Sequence, residues 1–132
     1  MIELYITRNC DSSASSEASN YLEQVLDNLS KKHKLHTHIT ASFDTDFNEK
    51  ELFNLSIFRT KQCDILICIL DGNDLPFLTV SELTAARMSG KTILALASPN
   101  TTVQDISFLQ NVFIDTLFYT EDDLIRYLQK FI

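Results

Sequence analysis

A chain of 132 residues, 45% hydrophobic and 22% charged, is long enough to bury a core and is ordinary in composition for a globular protein. Its net charge of −7 at pH 7 opposes polyanions, so nucleic acid and anionic membrane are not expected as partners. No apolar run approaches the roughly 20 residues that span a bilayer. The opening MIELYITR lacks the basic-then-apolar layout of a secretory leader, and three cysteines without a CxxC or zinc spacing fit reduced thiols. The expectation is a cytoplasmic protein, residues 1–132 forming a single domain, without a metal or other cofactor.

In chain order, IELYIT (2–7) reads as a short β-prone strand. The stripe Ala14, Ala18, Tyr21, Leu22, Val25, Leu26 and Leu29 predicts a helix, with cap candidates between Asp11 and Ser16. LHTHITAS (35–42) alternates like a half-exposed edge strand. A helix follows from Asn48 to Lys61, with Asn48 and Glu51 as a cap pair and Leu52, Leu55 and Phe58 inward. DILICIL (64–70) and TILALA (92–97) are apolar on both faces, as central strands of a parallel sheet are. Between them a helix runs from Thr79 to Gly90, which is placed to end it. Segment 98–111 reads as a loop with one helical turn, and VFIDTLFY (112–119) as the last strand. Thr120 and Asp123 cap a final helix with the stripe Leu124, Ile125, Leu128, Phe131 and Ile132.

Strands alternating with helices imply a doubly wound, flavodoxin-like or Rossmann-like α/β sandwich of about five parallel strands, in the order 2-1-3-4-5. Ligands of such sheets bind beyond the carboxyl ends of the strands, near the point where the order reverses. Loops 7–13, 43–47, 71–78 and 98–101 fall there. With only two glycines, the chain has neither GxGxxG nor GxxxxGKS. A receiver domain needs an acidic pair after the first strand, where Thr7, Arg8 and Asn9 stand. His36 and His38 share a strand face but have no third ligand at a convincing spacing.

The stretch CDILICILDGNDLPFLTVSELTAARMSGKTILAL (63–96) resembles the nucleoside 2-deoxyribosyltransferases and their nucleotide N-glycosidase relatives. Those proteins carry a strand ending in Asp-Gly, a variable loop, and Gly-Thr-x-x-Glu opening a helix that closes with Gly-Lys. Asp71-Gly72, Thr79, Glu82, Ala86 and Gly90-Lys91 match that pattern, and Tyr5 falls at the family's first-strand tyrosine. Leu78 and Thr84 depart from it, standing where glycines are usual, and no glycine follows the first strand.

The resemblance implies Glu82 as a nucleophile that traps an oxocarbenium-like sugar. It also implies Tyr5 as the residue that orients Glu82 and Asp71 as a contact to sugar or base. Asp74 is the candidate proton donor to the departing base. Arg8, Ser12 and Ser13 form a candidate cradle for a 5′-phosphate, with Thr79 and Asn100 as further substrate contacts. A homo-oligomer, most simply a dimer, is expected, because the chain ends flush with its last helix as the compact hydrolase relatives do. Two other readings stand beside this one: a TIR-like domain cleaving NAD, and a non-catalytic nucleotide-binding or interaction module. Thr79-x-x-Glu82 is also the pattern of a capping box, which would leave Glu82 with no chemistry.

Overall fold

The computed structural model describes residues 3–8, 36–39, 48–70, 77–97 and 106–130. The elements are β1 (Glu3–Arg8), β2 (His36–Ile39), α1 (Glu49–Gln62), β3 (Ile65–Leu70), α2 (Phe77–Met88), β4 (Thr92–Ala97), α3 (Ile106–Val112), β5 (Thr116–Phe118) and α4 (Glu121–Gln129). Among the described residues the strands form one five-stranded sheet in the order β2-β1-β3-β4-β5, and every neighbouring pair is parallel. The predicted helix over 14–29 and the terminal Phe131 and Ile132 lie outside the described residues.

The central strands are buried on both sides because both faces are covered. On one face Leu4, Ile6, Ile67, Ile69, Leu94 and Leu96 pack with Leu124 and Leu128 of α4. On the other, Tyr5, Leu66, Cys68 and Ala95 pack with Leu83 and Ala86 of α2 and Leu109 of α3. Alternation along each strand makes this division, since successive side chains point to opposite faces. Burial pushes the Cys68 thiol up to about 12 and the Cys63 thiol up to about 11, so both are poor nucleophiles at neutral pH.

The amino edge of the sheet is tied by two similar clamps. Asp64, just before β3, gives its N–H to the Glu3 carbonyl (2.8 Å), and its carboxylate accepts the Glu3 N–H (2.8 Å). Asp115, just before β5, does the same with Ile93, at 2.8 Å and 2.7 Å. Each aspartate closes a two-bond ring that fixes where one strand starts against its neighbour.

Helix α1 is capped as its sequence predicts. The Glu51 N–H donates to Asn48 Oδ1 (2.8 Å), and Asn48 Nδ2 donates to Glu51 Oε1 (2.9 Å). Its inward face differs from the expected stripe. Phe58 is 57% exposed, whereas Ser56 and Thr60 are fully buried. Spacings of three residues fall 60° short of a full turn at each step, so the series 52, 55, 58 walks off the packed face. Helix α2 starts at Phe77, two residues before Thr79. It ends as expected at Gly90, where φ of +70° lets the Lys91 N–H reach the Ala86 carbonyl (2.9 Å).

Two further expectations are corrected. Residues 106–112 form helix α3, where a loop with a single turn was expected. The last strand is confined to Thr116–Phe118, because the Phe113 and Ile114 N–H groups still bond the Leu109 carbonyl and close α3.

Candidate functional site

Five buried polar side chains meet where α1 and α2 cross β1. Tyr5 and Thr7 are two residues apart on β1 and so project to the same face. Thr79 and Glu82, three apart on α2, share one side of that helix. Ser56 comes from the inward face of α1. Glu82 is 1% exposed, and Tyr5, Thr7, Ser56 and Thr79 are as deeply buried.

Each oxygen of the Glu82 carboxylate accepts from a hydroxyl. Thr7 Oγ1 donates to Oε1 at 2.7 Å, and Ser56 Oγ donates to Oε2 at 2.6 Å. Both donors are backed in turn. Thr7 Oγ1 lies 3.3 Å from Thr79 Oγ1, and the Tyr5 hydroxyl donates to Ser56 Oγ at 3.4 Å. A hydroxyl carries one proton, so with Thr7 donating to an ionised Glu82, Thr79 is the donor to Thr7.

This arrangement excludes the capping-box reading of Glu82. Thr79 sits inside the first turn of α2, and its hydroxyl faces Thr7. The Glu82 carboxylate turns away from the helix start, into the seam between α1 and β1.

Burial raises the Glu82 carboxyl above its ordinary value of 4.5, and the hydrogen bonds from Ser56, Tyr5 and Thr7 act against that rise. Burial and the facing Glu82 charge together push the Tyr5 phenol above its ordinary value of 10.0. A carboxylate held out of water by hydroxyl donors keeps its lone pairs directed and poorly hydrated, which suits attack on an electrophilic carbon.

No protein-family model matches the chain, and no curated protein matches it. Solved structures do. A conserved protein from Enterococcus faecalis V583 superposes with a TM-score of 0.75 at 16% identity, covering 100% of this chain and 99% of its own. The 2-deoxyribosyltransferase of Bacillus psychrosaccharolyticus gives 0.71 at 17% identity, covering 92% and 89%. The CMP N-glycosidase BcmB of Clostridium botulinum gives 0.64 at 16% identity, covering 98% and 99%. The chain has the nucleoside 2-deoxyribosyltransferase fold.

Of the residues the sequence singled out, the 2-deoxyribosyltransferase-like fold brings Tyr5, Thr79 and Glu82 together. Arg8 ends β1 at the carboxyl edge, and its side chain lies outside the described residues. Asp71, Asp74, Ser12, Ser13 and Asn100 also lie outside them. Thr7 and Ser56 were missed. Thr7 had a signal, because it shares the face of Tyr5 on one strand. Ser56 and Thr60 had another: small hydroxyl residues four apart, on one face of a predicted helix. No cluster of metal-binding side chains occurs among the described residues, and the side chains of His36 and His38 lie outside them. Nor, among them, is any helix long and apolar enough to cross a membrane.

Proposed function

We propose that this chain is an enzyme that cleaves or transfers the N-glycosidic bond of a nucleoside or nucleoside 5′-monophosphate, with Glu82 as nucleophile. The observation that carries the reading is Glu82 itself. It is an acidic side chain withdrawn from solvent, and its partners among the described residues are hydroxyls. The fold, shared with a 2-deoxyribosyltransferase and a CMP N-glycosidase, supports the same reaction class.

In this reading a lone pair of Glu82 bonds the anomeric carbon as the carbon–nitrogen pair leaves with the base. Tyr5 acts on Glu82 through Ser56 and through its own facing hydroxyl. Asp71 contacts the sugar or base, and Asp74 protonates the departing base. Arg8, Ser12 and Ser13 receive a 5′-phosphate, and Thr79 and Asn100 complete the substrate edge. Attack by a second base on the glycosyl-enzyme makes a transferase, and attack by water makes a hydrolase. The flavodoxin-like unit over 1–132 works in the cytoplasm without a cofactor. It forms a homo-oligomer, most simply a dimer, through the exposed Phe53 and Phe58 of α1 and Met88 of α2. A monomer at micromolar concentration by light scattering overturns that assembly.

Base release by liquid chromatography tests the reading. The protein is incubated with deoxynucleosides, ribonucleosides, their 5′-monophosphates and NAD, beside Glu82→Ala. Release from a nucleoside or nucleotide, abolished in the variant, is the expected result. Turnover confined to NAD selects a TIR-like glycohydrolase. Binding of an intact nucleotide without cleavage selects a non-catalytic module.

A further inference from the structure

The two oxygens of Glu82 are bonded at different depths. Helices that follow parallel strands run back from the carboxyl edge, where ligands of this kind of sheet enter. At 1.5 Å per residue, Thr79 lies about 3 Å below the start of α2, and Ser56 lies about 10 Å below the start of α1. Along β1, Thr7 stands beside Cys68 of β3, and Tyr5, one pleat deeper, stands beside Leu66. Thr7 and Thr79 therefore form the edgeward pair on Oε1, and Ser56 and Tyr5 form the deep pair on Oε2.

Resting on the glycosyl-transfer reading above, we propose that the deep and edgeward pairs have unlike tasks. Ser56 is a positioning residue that anchors Oε2 throughout the reaction, and Thr7 is a latch that covers Oε1 and releases it to the sugar. The two sides differ in what each donor can do. Thr7 has a second hydroxyl acceptor 3.3 Å away in Thr79, and either atom of that pair can donate. Turning its proton to Thr79 Oγ1, as the Thr79 proton rotates away, frees Oε1. Ser56 has the shorter bond to Glu82, and the Tyr5 hydroxyl behind it already donates to Ser56 Oγ. Its hydrogen bond stays directed at Oε2. In the step itself a lone pair of Oε1 forms the bond to the anomeric carbon, and the carbon–nitrogen electron pair leaves with the base. The base takes its proton from solvent or from Asp74, so Thr7 and Ser56 lose none.

The test compares Ser56→Ala, Thr7→Val and Thr7→Ser with the wild type in the base-release assay, on the best nucleoside or nucleotide found there. Ser56→Ala is expected to lower kcat about 10²-fold with KM nearly unchanged, the loss seen when a preorganised donor is removed. Thr7→Val, which deletes the latch without changing volume, is expected to lower kcat clearly less than Ser56→Ala does, by no more than about 10-fold. Thr7→Ser, which keeps the hydroxyl, is expected to restore most of what Thr7→Val loses. The acid limb of kcat/KM moves to higher pH in both deletion variants, because each removes a donor to the ionised carboxylate. Tyr5, Cys68 and, through Tyr5, Arg59 are the other titratable or charged groups acting on this site, and none is altered in these variants. Equal losses in the two deletions, or a larger loss in Thr7→Val, overturn the division. Where Ser56→Ala does not fold, Tyr5→Phe takes its place with the same expected ranking against Thr7→Val. Wild-type protein that releases no base overturns the functional reading and the latch together.

Discussion

The two faces of the sheet use the same strands to different ends. Over the α4 face, every buried partner among the described residues is apolar: Leu4, Ile6, Ile65, Ile67, Ile69, Leu94, Leu96, Leu124 and Leu128. Over the α1–α2 face, the apolar packing surrounds Tyr5, Thr7, Ser56, Thr79 and Glu82. One face gains stability from burial, near 25 cal/mol per Å² of apolar surface. The other gives part of that up, because a carboxylate taken from water is costly even when hydroxyls bond it. A single parallel sheet can therefore carry one side packed only for stability and another that holds a buried carboxylate. The alternation of side chains along β1 keeps them apart.

Substitutions on the two faces should separate these roles. The largest effect expected is on the face that holds Glu82: with Glu82 as the proposed nucleophile, Glu82→Ala lowers base release by at least about 10³-fold. A residual rate near wild type in chromatographic assays would remove Glu82 from the mechanism. On the apolar face, Ile67→Ala should cost about 2–5 kcal/mol of unfolding free energy, read from urea midpoints at constant slope. Its folded fraction should retain turnover. Loss of activity without loss of stability there would blur the contrast.

Glu82→Gln joins the two properties. The folded-state pKa of Glu82 is raised, so the folded protein holds that proton more tightly than the unfolded chain. The stability linked to this group is fully present below about pH 4.5 and is lost as pH rises through the raised value. Glutamine keeps the shape without the charge. The variant should melt above wild type at pH 7–8, and the gap should close towards pH 4.5, while activity is lost. A gap independent of pH would mean that the carboxylate is not the source. Smallest is Asn48→Ala, which removes an α1 cap that pairs with Glu51 and not with Glu82 or its hydroxyl donors. It should cost about 1 kcal/mol by denaturant titration and leave base release unchanged.

What the sequence disclosed follows the same divide. Strands β3 and β4 were legible because their runs are apolar on both faces, which few surface segments imitate. Glu82 was legible because a motif with fixed spacing carries it, and Tyr5 because it falls where the resembled family has its first-strand tyrosine. Ser56 and Thr7 were not, since a hydroxyl on a helix or strand looks like a solvated residue until tertiary packing encloses it. Helix α3 was missed for a related reason. It has seven residues, too short to establish a period, and Leu109 is the one described side chain in it that is buried. Phe58 shows the opposite error, a large apolar residue read as core that the helical rotation carries outward.

The aspartate clamps at the amino edge bear on how such a chain can diverge. Asp64 and Asp115 set the alignment of β3 on β1 and of β5 on β4 at the end of the sheet away from Glu82. Because alignment is fixed from below, the connections at the upper rim are relieved of that duty. They can change in length and composition without shifting β3 against β1 or β5 against β4. A lineage, or a designer, could thus graft new rim loops for new ligands and leave the foundation untouched.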